Sequence, residues 1–326
     1  MAKLVTWQPP MRRVLLALMA PAAASIWFFG WRALVVVAVV GLVGFLTEYV
    51  FGRFTKQGVS SSIFVTCLLF ALSLPPTIPL WIAAVGIAFG VVFGKMAYGG
   101  FGRNVFNPAL VGRAFIYVSF AGPMTTRWLD PATSVSGFLS LPSGAGGFAR
   151  YTADAVSAAT PLGLIASGER VDLLRLLWGN VSGCLGETSG ALLALGGLFI
   201  IWKKAASWRI VLSSFSAFLV LESILWLAGV SRAAEPLSAI LSGGVVLGLF
   251  FMATDPVSAA QTQAGRWIYG ALVGSLIALI RVFSAWPEGT MFAILLGNTF
   301  APIVDYLVRQ RQEAAKRKAA AGEPRP

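Results

Sequence analysis

The run Ala33-Leu34-Val35-Val36-Val37-Ala38-Val39-Val40-Gly41-Leu42-Val43-Gly44-Phe45-Leu46-Thr47-Glu48-Tyr49-Val50 decides the class of this chain. A single charged residue, Glu48, interrupts it. At a rise of about 1.5 Å per residue, such a run suits a helix crossing a bilayer core about 30 Å thick. Working outward, nine more apolar runs appear: Val14–Phe29, Ser61–Leu74, Ile78–Phe93, Ala109–Phe120, Gly190–Trp202, Ile210–Gly229, Ile240–Ala253, Ile268–Phe283 and Met291–Val308. The pattern predicts an all-α polytopic membrane protein of about ten transmembrane helices. The third, fifth, sixth and eighth runs are short, and short runs ending in Gly or Pro predict broken helices that line a site. The first run leads through Gly30-Trp31-Arg32 into another apolar run, which reads as a retained helix rather than a cleaved signal.

Composition agrees with this reading. Of 326 residues, 57% are hydrophobic and 12% are charged, whereas a soluble domain carries about 25% charged residues. The net charge of +12 could suggest nucleic acid, but the basic residues recur in clusters between apolar runs. That placement is membrane topology, with cytoplasmic loops positive, and no nucleic-acid partner is expected. With both termini inside, 18 of the 25 Lys and Arg residues fall on the inner side, counting Arg113 with the loop between the fourth and fifth runs. The cytoplasmic membrane of a bacterium is the expected location.

The long segment after the fifth run then faces outward. The chain divides into a first membrane half (1–120), an extracytoplasmic segment (121–188), a second membrane half (189–308) and a charged tail (309–326), expected to be a fraying helix. Five runs on each side of the segment permit a 5+5 inverted repeat, although no self-similarity is evident in the letters.

Residue inventory narrows the chemistry. The chain has no histidine and two cysteines, Cys67 and Cys184. Bis-histidine haem is excluded, and one chain cannot supply the four thiolates of an iron–sulfur cluster. Zinc or copper ligation is equally disfavoured, so no metal site is expected. Any redox role needs an organic cofactor or a cluster shared with another protein of a complex.

Four stretches carry candidate chemistry. Asp154-Ala155-Val156-Ser157-Ala158-Ala159-Thr160 ends in a hydroxyl before Pro161; read alone it is a loop, with Asp154 and Ser157 as turn or capping residues. Gly99-Gly100-Phe101-Gly102-Arg103-Asn104-Val105-Phe106-Asn107-Pro108-Ala109 reads alone as a Gly-rich turn entering a helix at Pro108. Asn104 and Asn107 there also offer uncharged donors and acceptors. Phe251-Met252-Ala253-Thr254-Asp255-Pro256-Val257-Ser258 puts a carboxylate at the end of a short span, either a cap or the wall of a polar cavity. Glu48, four residues after Gly44, pairs with Arg53 or Lys56 or else marks a site; Glu222 is a second acid within a span and a candidate for cation or proton passage.

Taken together, these stretches resemble the NqrB/RnfD family, whose members are membrane subunits of the sodium-translocating NADH:quinone reductase and of the Rnf electron-transport complex. The first resembles that family's flavinylation motif, Asp-x-x-Ser/Thr-x-Ala-Thr. The resemblance continues through Leu74-Pro75-Pro76-Thr77-Ile78-Pro79-Leu80-Trp81, Gly186-Glu187-Thr188-Ser189, Trp286-Pro287-Glu288-Gly289 and Ala301-Pro302-Ile303-Val304-Asp305-Tyr306. It implies FMN joined through its phosphate to Thr160 by a flavin transferase, with Asp154 and Ser157 in the motif. It also implies noncovalent riboflavin near Asn104, Asn107 and Asp255, and a quinone or ion path near Gly44, Glu48 and Glu222. The implied activity is that of one component of a redox-driven translocase of Na+ or H+. Its implied partners include iron–sulfur subunits and a second flavinylated subunit. A short N-terminal region favours the Rnf-like member, whereas Phe251 to Ser258 reads more like the quinone-reductase relative. A non-redox secondary transporter is the alternative from another functional class.

Overall fold

The computed structural model describes residues 5–126, 128–129, 131, 160–169, 171–187, 189–284 and 288–320. Asp154, Ser157, Thr188 and residues 285–287 lie outside them. The architecture is helical apart from a two-residue parallel pairing of Val5–Thr6 with Val59–Ser60. The first half comprises α1 (Pro9–Phe29), α2 (Trp31–Thr55), α3 (Ser62–Leu72), α4 (Leu80–Gly94) and α5 (Pro108–Ser119). Three short helices follow: α6 (Ala121–Thr125), α7 (Pro161–Ala166) and α8 (Leu173–Trp178). The second half holds α9 (Gly190–Trp202), α10 (Trp208–Leu227), α11 (Pro236–Leu241), α12 (Val245–Leu247), α13 (Gln263–Phe283) and α14 (Gly289–Ala320).

Every apolar run is a helix at its expected place. Six helices are long and apolar enough to cross a membrane, and α3, α5 and α9 are shorter apolar helices. The eighth run is broken. It enters as α11, stops at Ser242, turns through Gly243 and Gly244 at φ 61° and 68°, and resumes as α12 and a π-helical turn over Gly248–Met252. Positive φ at two successive residues is why glycine occupies both. Exposed Leu42, Leu46 and Val50 on α2 and Leu212, Val220 and Ile224 on α10 are suited to contact with hydrocarbon.

The two halves share one arrangement of neighbours. α2 packs on α4, α4 on α5, α1 on α3, and α3 on α5. In the second half α10 packs on α13, α13 on α14, α9 on α12, and the π-turn on α14. This is the pairing expected of a 5+5 repeat, and α1 meets α9 and α5 meets α14 across the halves. Close approach depends on small residues: a Cβ at Gly112 of α5 would meet Gly86 O of α4, and one at Gly274 of α13 would meet Ser214 O of α10.

The last helix continues past Val308 to Ala320 without a break. The segment before α9 also serves as a cap. Leu185 N and Gly186 N donate to Leu74 O and Leu72 O at 2.9 and 2.6 Å, satisfying carbonyls at the end of α3.

Candidate functional site

Polar side chains gather at the two opposite ends of the bundle. At the end that carries both termini, Asn107 caps α5: its Oδ1 accepts Ala109 N at 3.0 Å. Its Nδ2 donates to Met252 O at 3.3 Å, and its backbone N–H donates to Asn298 Oδ1 at 3.1 Å. One asparagine thereby ties α5 to the π-turn and to α14. Asn104 Nδ2 donates to Phe106 O at 3.1 Å, and Asp255 accepts Val257 N at 2.9 Å.

Asn104, Asn107 and Asp255 line one pocket together with Ser62, Lys95 and Phe101, so the structure brings the three sequence candidates together. The pocket's volume is about 40 Å³, well below the roughly 300 Å³ at which small-molecule sites begin. As packed, it admits water rather than a tricyclic ring. Asp255 also borders a neighbouring cavity of about 400 Å³, and Asn104 one of about 380 Å³.

Glu48 is not free at this end. Its Oε1 accepts Ser60 N at 2.9 Å, and its Oε2 accepts Lys95 Nζ at 2.7 Å, with both side chains 2% exposed. Lys95 also donates to Ser62 Oγ at 2.7 Å. The partner is therefore Lys95, brought in by the packing of α4 on α2, and not the neighbouring Arg53 or Lys56. Gly44 faces packed side chains: a Cβ there would run into Cys67 Sγ of α3.

At the opposite end a cavity of about 540 Å³ is lined by residues that include Thr160, Tyr117, Trp128, Glu222, Arg281 and Glu288. Thr160 is the N-cap of α7, where Oγ1 accepts Gly163 N at 3.2 Å and Pro161 takes the first helical position. α7 is held against the break in the eighth span, because a Cβ on Gly243 would strike Leu162. That contact places the Thr160 hydroxyl over the cavity.

Arg281, near the end of α13, organises the same break. Its Nη1 donates to Ala239 O, and its Nη2 donates to Ser242 O and Gly243 O, each at 2.8 Å. A buried guanidinium thus neutralises the carbonyl end of α11. Glu222, 2% exposed, accepts Ala234 N at 2.9 Å through Oε1.

Arg113 belongs to this end of the molecule. The count along the chain set it with the loop before the fifth span, yet it lies within α5 and forms a buried ion pair with Glu288. It also donates to Cys184 Sγ at 3.4 Å. Cys184, Glu187 and Glu288 present sulfur and oxygen atoms within 4.8 Å of one another. The Arg113 charge bears directly on that group, donating to two of its three members, which disfavours a metal ion there. Lys95, Arg113, Arg281 and Asn298 do not stand out as site residues in the sequence. A charge within a short apolar run was the available signal for Arg113.

Comparison with known proteins supplies the remaining finding. The profile of the NQR2, RnfD, RnfE family matches residues 2–313. The chain is 43% identical over 291 residues to NqrB, the Na(+)-translocating NADH-quinone reductase subunit of that name, from Ectopseudomonas mendocina (strain ymp). That match covers 84% of this chain and 66% of the relative, just under two thirds of its length. The chain is 36% identical over 323 residues to RnfD, the corresponding subunit in the ion-translocating oxidoreductase complex, from Escherichia coli (strain SE11). Here 91% of this chain and 92% of the relative are covered. With a matching profile over nearly its full length and an all-helical bundle of apolar spans, the chain belongs to the NQR2, RnfD, RnfE family.

Proposed function

We propose that this protein is a membrane subunit of a redox-driven, ion-translocating oxidoreductase complex of the Rnf type, and that it carries FMN on Thr160. The observation that carries this reading is the position of Thr160 on the wall of a cavity of about 540 Å³, a volume within the range of cofactor sites. The lining supports the fit, with aromatic Tyr117 and Trp128 beside buried charged groups. A flavin transferase would form the P–O bond to Thr160 Oγ1 as the hydroxyl proton leaves with the departing group. Bound there, the flavin supplies electron-transfer chemistry. The chain supplies the tether, the walls and the charges around it.

The excess of Lys and Arg on the segments that share a side with the termini favours a cytoplasmic location for both ends. Thr160 then lies on the periplasmic or external side of a bacterial cytoplasmic membrane. Arg113 drops out of that count as a residue within a span, and the bias keeps its direction. Partners of the proposed complex are iron–sulfur subunits and a second flavinylated subunit. Adding an electron to a buried ring is costly without a compensating charge, which is the basis proposed for coupling to Na+ or H+.

Riboflavin near Asn104, Asn107 and Asp255 is a weaker proposal, because the pocket they share is too small as packed. No step is assigned to it. Identity is higher to the quinone-reductase relative, whereas end-to-end coverage is higher for the Rnf relative. Membership of the quinone-reductase complex is accordingly the second reading.

Intact mass and in-gel flavin fluorescence of the wild type and Thr160→Ala test the proposal. Expected are one FMN adduct and fluorescence that survives denaturation in the wild type, with both lost in the variant. A colourless wild type from cells able to flavinylate would instead favour a non-redox transporter, and fluorescence persisting in Thr160→Ala would move the attachment elsewhere.

A further inference from the structure

We propose that Glu222 and Arg281 together recognise the imide edge of the ring tethered to Thr160, an assignment that rests on the flavin reading above. Glu222 Oε1 is held by Ala234 N at 2.9 Å. Its Oε2 is buried and has no hydrogen-bond partner among the described residues. Arg281 commits Nη1 and Nη2 to three backbone carbonyls, and its Nε–H is likewise buried and unpartnered among them. Both residues line the cavity that Thr160 borders.

The two groups do not satisfy one another. Among the described residues the ion pairs are Glu48–Lys95 and Arg113–Glu288, so Glu222 and Arg281 stay more than 4.0 Å apart. The first half of the molecule shows the contrast. Glu48 also accepts a backbone N–H from twelve residues downstream, and Lys95 follows α4 much as Arg281 closes α13. There the acid and base close to 2.7 Å, whereas here an acceptor and a donor are left open toward a cavity.

A ligand that fills this gap must present a donor to Glu222 and an acceptor to Arg281. A bare cation offers nothing to the guanidinium and is repelled by it, while an anion is repelled by the carboxylate. A neutral imide, with an N–H flanked by two carbonyls, offers both at adjacent atoms. The isoalloxazine ring carries that group on its pyrimidine edge. The other charges on the cavity wall are Arg232, Glu187 and Glu288. Glu288 is neutralised by Arg113, and Glu187 is wedged against Gly183 and Gly244, with Cys184 N donating to its Oε2 at 3.4 Å.

The test uses the purified holo-complex and compares wild type with Glu222→Gln. Attachment is read by in-gel fluorescence and intact mass, the midpoint potential of the tethered flavin by spectroelectrochemistry, and the ring carbonyl stretches by infrared difference spectroscopy with 13C-labelled flavin. Glu222→Gln is expected to keep the flavin attached, raise its midpoint potential because a negative charge beside the ring is removed, and shift the carbonyl bands. Should that variant fail to accumulate, Glu222→Asp keeps the charge but withdraws the oxygen, and the same bands are expected to move. An attached flavin with potential and bands unchanged overturns the imide assignment and leaves Thr160 as the tether. A wild type without added mass on Thr160 overturns both.

Discussion

Glu48 of α2 and Glu222 of α10 each accept a backbone N–H from the residue twelve positions downstream, Ser60 and Ala234, both at 2.9 Å. In each half a buried carboxylate ties the end of a long span to the chain that enters the next, broken or shortened span. The halves then diverge. Lys95 closes on Glu48, whereas Arg281 turns to the carbonyls at the break in the eighth span. One architecture thereby yields a tight pocket at one end of the bundle and a wide cavity at the other.

Removing one member of the Glu48–Lys95 pair strands a buried charge. Lys95→Met is expected to lower stability by about 3–5 kcal/mol, the range for breaking a buried ion pair. Adding Glu48→Gln is expected to recover part of the loss. Thermal unfolding of the purified protein in detergent measures this, and a double variant no more stable than Lys95→Met would contradict it.

Gly44 keeps α2 close to α3. Gly44→Ala drives a Cβ into Cys67 Sγ and is expected to cost about 1–3 kcal/mol, as overpacking does. Cys67→Ala in the same chain should restore most of that stability. If Gly44→Ala is neutral, or if the second change brings no rescue, the contact is not the constraint.

Asn107 combines a helix cap with a tie to Met252 O. Asn107→Asp keeps the capping oxygen and removes the donor, whereas Asn107→Ala loses both. The alanine variant is expected to lose an additional ~1 kcal/mol for the cap. Equal melting temperatures for the two variants would show that capping contributes nothing here.

Gly243 sits at φ 61°, beside Arg281 and Leu162. Gly243→Ala combines the roughly 1–2 kcal/mol penalty of a left-handed alanine with displacement of both neighbours. Lower thermal stability together with weaker in-gel flavin fluorescence is the expected result. Normal fluorescence in a destabilised variant would separate the break from the placement of Thr160.

The number and places of the apolar helices, and the weakness of the eighth, were legible in the chain alone. A bilayer demands long apolar segments with internally paired backbones, and that requirement is written locally in each run. Asn104, Asn107 and Asp255 were also legible as candidates, since amides and carboxylates beside apolar runs stand out.

Tertiary structure alone decided who pairs with whom. Lys95 finds Glu48 across 47 residues, and Arg113 finds Glu288 across 175. Those partners are chosen by which helices pack together, a long-range outcome that hydropathy and local motifs do not encode. Packing also determined that the larger space lies beside Thr160, while the asparagine pocket closes around a far smaller volume. Free volume is what remains after side chains from distant segments interlock, so it belongs to the folded molecule and to no single stretch of it.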